Sequence, residues 1–300
     1  MYENFELVLS TGKTMKGCKW LKKDNKKNLV IVTGMAESSY RYDEFALFLN
    51  NKGYDVYCID HYGQGLNCET EQELGVWPKD GFRCAVELVH EEVEYVKSLT
   101  KKPVYLFGHS MGSFVSQEFI QLYGNTVEKA IICGSNGKMA ATGIGGVVAN
   151  FRCATHNRDT YKDKLLNKIM FSTYNNKIKN PKTEFDWLST NDESNQKYIA
   201  DFRCGYVCTP GFYSEFMKGL NRIHKTKNVK KVPGDLPILL VAGKEDPVGG
   251  YGKGVLNKHK QYLKLKKNSH VILYDVMRHE IINEIGREKV YEDIADFLNK

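Results

Sequence analysis

The 300 residues contain no CxxC pair, no HExxH, no GxxxxGK[ST] and no GxGxxG. Their absence removes the usual marks of a thiolate zinc site, a zincin, a phosphate-cradling loop and a dinucleotide-binding turn. No metal and no organic cofactor is therefore expected. No window approaches the roughly 18 apolar residues of a membrane span. The opening MYENFELVLS lacks a basic stretch followed by an apolar one, so a secretory leader is not expected and a cytoplasmic location is. The eight cysteines are scattered, which favours free, buried thiols over a disulfide framework. Charge of one sign is in modest excess: 43 Lys and Arg against 36 Asp and Glu, or +7. It reads as distributed, with lysine-rich stretches at 22–27, 225–231 and 264–267. A nucleic-acid surface would need a clustered basic stripe with interleaved aromatics, so no nucleic-acid partner is expected. A weak peripheral attraction to anionic membrane surfaces is the most this charge suggests, and the sequence sets no oligomeric state.

What is present is a large apolar fraction, 42%, at a mean hydropathy of −0.45. That suits a soluble globular chain and excludes disorder, collagen-like repeats and coiled coils. Six short apolar runs stand out at 29–33, 55–60, 103–107, 130–133, 237–242 and 270–274. Most are continuous rather than alternating, as in parallel strands buried on both faces. Between them lie helical patterns. The best is Phe82, Val86, Val89, Val93 and Val96, with Asp80 placed as its N-cap. A second runs from Phe114 to Leu122, and a last from Val290 to Leu298. Strand–helix alternation of this kind predicts an α/β fold, a mostly parallel sheet flanked by helices. The first twenty residues instead predict an antiparallel edge hairpin turning at Thr11-Gly12. Residues 135–210 break the alternation without a convincing strand. They are expected to form a helical insertion in a core made of 1–134 and 211–300.

The chemistry centres on Gly108-His109-Ser110-Met111-Gly112, which follows one apolar run and opens the 114–122 helix. GxSxG between strand and helix is a nucleophile elbow, in which a strained turn lifts the serine hydroxyl above the sheet. Side chains at the flanking glycines would collide with neighbouring segments. A serine of ordinary acidity needs a base, and the base needs an orienting acid, in the order Ser, Asp/Glu, His. The 237–242 run leads into Glu245-Asp246, where Asp246 is the expected acid and Glu245 the neighbour most easily mistaken for it. His279, after the 270–274 run, is the expected base. Developing oxyanion charge needs two backbone donors, the N–H of Met111 and that of Met35 in the loop after the 29–33 run. His109 is expected to pack locally and His61 to shape the rim.

These segments resemble the serine aminopeptidase S33 and monoacylglycerol lipase/lysophospholipase group of α/β-hydrolases. The resemblance rests on Thr33-Gly34-Met35-Ala36-Glu37-Ser38-Ser39-Tyr40-Arg41-Tyr42, on Asp60-His61-Tyr62-Gly63-Gln64-Gly65, on the Ser110 elbow, and on the Asp246 and His279 loops. The group's pattern HGxxEHSxRY is met at Gly34, Glu37, Ser39, Arg41 and Tyr42. Thr33 and Ser38 stand where it usually has His, and Ser113 where a third Gly is common. The resemblance implies that Glu37 and Arg41 form a structural ion pair. It also implies that the insertion caps the site with an apolar face, for which Met139, Ile144, Val147, Val148, Phe151, Ile169, Met170 and Phe171 are available. The expected activity is hydrolysis of a small-molecule acyl ester, such as a monoacylglycerol or lysophospholipid. Small or aromatic esters, amides, a peptide amino terminus, or a non-catalytic binding role remain the alternatives.

Overall fold

The computed structural model describes residues 2–139 and 141–300. The continuous apolar runs become strands because both faces of the sheet are covered. In β3 (Lys27–Val32), Leu29 and Ile31 enter one hydrophobic layer while Val30 and Val32 enter the other. The same alternation divides Val104 and Leu106 from Tyr105 and Phe107 in β5 (Val104–His109). It also divides Ile238 and Leu240 from Leu239 and Val241 in β7 (Ile238–Gly243).

With β1 (Glu3–Val8), β2 (Thr14–Trp20), β4 (Tyr54–Ile59), β6 (Ala130–Cys133) and β8 (Ser269–Tyr274) these make one eight-stranded sheet. Its order is β1-β2-β4-β3-β5-β6-β7-β8. The expected hairpin is β1 and β2, antiparallel to each other, and β2 pairs antiparallel with β4; every other pairing is parallel. This is the α/β-hydrolase architecture. One face is covered by α1 (Asp43–Asn51) and α10 (Arg287–Asn299), through Phe45, Ala46 and Leu49 and through Val290, Ile294 and Leu298. The other is covered by α2 (Gly81–Thr100), α3 (Met111–Tyr123) and α9 (Lys253–Lys264).

Asp80 does occupy the position before α2, but it does not cap it. Its backbone is left-handed at φ 56°, and its side chain makes no capping hydrogen bond. A capping carboxylate needs the extended backbone that turns it toward the first free amides.

Between β6 and β7 the chain forms α4 (Ala141–Thr155), α5 (Lys164–Phe171), α6 (Asp192–Ala200), α7 (Pro210–Ile223) and the short α8 (Thr226–Val229). Here local chemistry starts the helices. The Asp163 carboxylate accepts from the Leu165 and Leu166 amides and pairs with Arg152 at 2.7 Å. The Asn191 side chain caps α6, and Thr209 with Pro210 opens α7. The expected 210/211 boundary thus falls in the first turn of α7, which packs on α4 from the insertion and on α2 and α3 from the sheet layer. Gly219 permits the closest approach, since a Cβ there would overlap the Phe82 ring. All eight cysteines are free. Among the described residues no helix is long and apolar enough to cross a membrane.

Candidate active site

Ser110 sits between the end of β5 and the start of α3 with φ 52° and ψ −119°, a sparsely populated backbone conformation. The flanking glycines make the turn sterically possible. A Cβ on Gly112 would overlap the carbonyl oxygens of Val32 and Thr33, and one on Gly108 would overlap Ser116 Oγ. Parallel pairing of β5, β6, β7 and β8 then brings the loops after them to one rim. There His279 Nε2 lies 2.8 Å from Ser110 Oγ, and His279 Nδ1 lies 3.1 Å from Asp246 Oδ1. The imidazole and the carboxylate are both buried, and the Val248 amide holds Asp246 Oδ1 at 2.8 Å. Glu245 points to solvent. A hydroxyl, an imidazole and a carboxylate that holds the imidazole are thus arranged with the geometry acyl transfer requires. Met35 and Met111 border the same space, and the Met111 amide belongs to the unpaired first turn of α3. Among the described residues no group of three or more His, Cys, Asp or Glu side chains is arranged to hold a metal ion.

The loop carrying Met35 is held by a buried ionic network. Arg41 donates to Glu37 Oε2 at 2.7 Å and bidentately to Glu280 at 2.8 Å on each oxygen. Glu37 also accepts from Tyr42 Oη at 2.7 Å and from the Gly34 amide. His109 Nδ1 lies 3.3 Å from Glu37 Oε1, so this histidine packs against the oxyanion loop. Burial alone would raise the Glu37 pKa; hydrogen bonding and charge from His109, then Arg41 and Tyr42, overcome it and lower it. Burial opposes protonation of His109 as well, yet Glu37 turns the net shift upward. The ion pair expected between Glu37 and Arg41 is therefore one arm of a larger unit. Its other arm, Glu280, is adjacent to His279 and carried no sequence signal of its own.

The departures from the group's pattern have local accounts. Thr33 Oγ1 and the Gly34 carbonyl both accept from Gln64 Nε2 at 2.8 Å, which supports the oxyanion loop from behind. Ser38 donates to Asp60 Oδ2 at 3.2 Å, and Ser113 Oγ donates to the Ser110 carbonyl at 2.6 Å. His61 is buried beside this loop, and burial lowers its pKa to about 4, so it is neutral.

Above Ser110 lies a cavity of about 460 Å3 between the inserted helices and the sheet. Of the expected lining, Met139 and Met170 border it, as do Ile144, Val148, Ile169 and Phe171. Val147 and Phe151 do not: they are 69% and 65% exposed on the outer side of α4. The reason is helical phase. Val148 and Ala149 take the inward face, so residues one step before and two steps after them are turned away. The sequence reading also missed Trp187, Tyr206 and Phe216, which complete the wall from outside any recognisable motif. Trp187 packs on the His279 ring at 5.1 Å between centroids. The acids at the wall are few: Glu37 and Glu280 are engaged by Arg41, and Glu184 is exposed.

A family model described as serine aminopeptidase, S33 matches residues 23–286. A highly thermostable carboxyl esterase from Bacillus coagulans, solved with glycerol, has a TM-score of 0.92 at 25% identity, over 99% of this chain and 98% of that one. A soluble variant of monoglyceride lipase from Saccharomyces cerevisiae, solved with a substrate analog, shares the fold. Its TM-score is 0.77 at 15% identity, over 100% of this chain and 94% of that one. A probable lysophospholipase L2 from Haemophilus influenzae is 30% identical over 108 residues. That match spans 36% of this chain and about a third, 34%, of the relative's own length.

Proposed function

The chain belongs to the serine aminopeptidase S33 family, and from that premise we propose that it hydrolyses carboxylic esters carrying a medium or long acyl chain, of the monoacylglycerol or lysophospholipid type. In this reading Ser110 Oγ attacks the ester carbonyl as His279 Nε2 takes its proton. Asp246 holds the imidazole in register and stabilises its charged form. The amides of Met35 and Met111 receive the oxyanion. Collapse of the tetrahedral species passes the proton from His279 to the leaving alcohol and leaves an acyl-enzyme on Ser110. Water, deprotonated by His279, then releases the acid. No metal or cofactor takes part in these steps.

One observation carries the choice of substrate: the hydrogen-bonded Ser110–His279–Asp246 relay opens into a wall of Met, Phe, Trp and Ile side chains. An aminopeptidase would need an uncommitted buried carboxylate there to meet the substrate's ammonium group; Glu37 and Glu280 are both engaged by Arg41, and the other acid at the wall, Glu184, is exposed to water. The names of the esterase and lipase relatives agree with the ester reading. A fluorophosphonate probe tests it. Stoichiometric labelling that disappears in Ser110→Ala is expected, together with p-nitrophenyl ester turnover that rises from acetyl towards medium and long acyl chains. An unlabelled wild type would favour a binding protein instead, and a preference for aminoacyl amides would overturn the lipid reading.

A further inference from the structure

Several stretches of the chain are strongly basic, and one of them coincides with exposed apolar side chains. Residues 138–182 hold nine Lys and Arg and only two acids, Asp159 and Asp163. The segment is therefore +7 by sequence, although Arg158 and Lys182 pair with Glu215 and Asp192 outside it. The same segment forms α4 and α5, which present large apolar side chains to water. On α4, Ile144, Val147 and Phe151 recur at three- and four-residue steps and are 73%, 69% and 65% exposed. On α5, Leu165 and Ile169 are four apart and 49% and 54% exposed. Exposed Lys164 and Lys168 run beside them, one residue round the helix. Five large apolar groups on two helices are more than the single scattered residues that need no explanation. Ile144 and Ile169 also border the cavity above Ser110, so this basic, apolar face is the rim of its mouth.

We propose that this face docks on the surface of an anionic lipid bilayer. The α4 and α5 stripes enter the boundary between headgroups and acyl chains, and the surrounding lysines meet the acidic headgroups. Charge selects the occupant. A zwitterionic surface offers the cations nothing, and a second copy of the chain would bring one +7 segment against another. The cavity mouth then faces the bilayer, and a single-chain ester can leave it for Ser110 with its tail never crossing water. That consequence, unlike the docking itself, rests on the acyl-ester reading above.

Sedimentation with vesicles tests the surface. The full-length protein should bind vesicles of equimolar phosphatidylcholine and phosphatidylglycerol, release in high salt, and ignore pure phosphatidylcholine. Val147→Ser/Phe151→Ser and, separately, Lys164→Glu/Lys168→Glu should each weaken binding by on the order of tenfold or more. None of these four side chains borders the cavity, so turnover of a soluble short-chain p-nitrophenyl ester should stay at the wild-type level. A wild type that ignores the anionic vesicles, or variants that bind them as tightly as wild type, would overturn the proposal. So would a lipid-free dimer abolished by Val147→Ser/Phe151→Ser, which would make the face a contact between copies. Binding that persists in a protein with no esterase turnover would keep the docking and remove only the assigned activity.

Discussion

Ser110 and His279 lie 169 positions apart in the chain, yet one 2.8 Å contact joins them, and in the proposed mechanism that contact turns an inert hydroxyl into a nucleophile. In that mechanism Asp246 acts on the contact indirectly, by fixing which imidazole nitrogen faces the serine. Asp246→Asn should therefore lower kcat by on the order of 10^3 to 10^4 with the fold retained. Glu245→Ala should leave most activity, because its side chain faces water. Steady-state kinetics on one soluble ester decides it, and a dead Glu245→Ala beside an active Asp246→Asn would reverse the assignment. Asp60 gives a prediction about pH. Burial raises its pKa to about 7 despite hydrogen bonds from the Leu66 and Ser39 amides and from the Ser39 and Ser38 hydroxyls. The folded protein thus keeps a proton that the unfolded chain has released. This contribution to stability is complete below the ordinary carboxylate range and is lost as the pH rises towards about 7. Asp60→Asn loses acceptors and should be less stable throughout, but its denaturation midpoint should fall less over that window than the wild type's. Parallel midpoint curves for the two proteins would show that Asp60 is not the group responsible.

At the scale of elements, the stretch from 186 to 190 couples the inserted helices to the His279 loop. The His279 and Glu280 amides donate to the carbonyls of Trp187 at 3.4 Å and Leu188 at 2.7 Å. The Arg278 guanidinium reaches the Asp186 carbonyl at 2.7 Å and that of Ser189 at 3.1 Å, and Glu284 accepts from the Thr190 amide at 2.9 Å. Removing Arg278 leaves two half-buried carbonyls without a charged donor. Arg278→Ala should cost about 2 kcal/mol or more. It should speed amide exchange over 186–190 and lower kcat more than the stability loss accounts for, since His279 hangs from the same stretch. Unchanged exchange there would show that the clamp is not needed. None of this was legible beforehand, because Arg278, Asp186 and Ser189 belong to no motif and meet only through tertiary packing. The strands were legible for the opposite reason. Runs such as 29–32 and 238–242 are apolar at every position, and their length and β-branched content fit a strand covered on both faces. The wall of the cavity fell between. The 141–155 segment is apolar on more than one side, so composition could not decide that Val148 faces in while Val147 faces out.

On the scale of the whole molecule, the cavity belongs to neither layer alone. Its floor is the elbow and the oxyanion loop, set by β3 and β5, and its walls are α4, α5, α7 and the stretch around Trp187. In the proposed reaction the scissile carbonyl sits at the floor beside Ser110, so the depth left above it limits how much acyl chain can be buried. Each buried methylene contributes about 0.8 kcal/mol, so the preference for long chains should be steep until the space is full. Val148 is half-buried on the inward side of α4, away from the relay, and a larger side chain there shortens the space without touching the chemistry. Val148→Trp should leave kcat/KM for acetyl and butyryl esters near the wild-type value. For long-chain esters it should fall by about tenfold or more, as the chain loses two or more buried methylenes. Met170→Trp on α5 should do the same from a different helix, which guards against a local packing defect at position 148. Equal losses on short and long esters in both variants would mean that the acyl chain does not lie in this cavity, and the substrate would have to be sought among small esters.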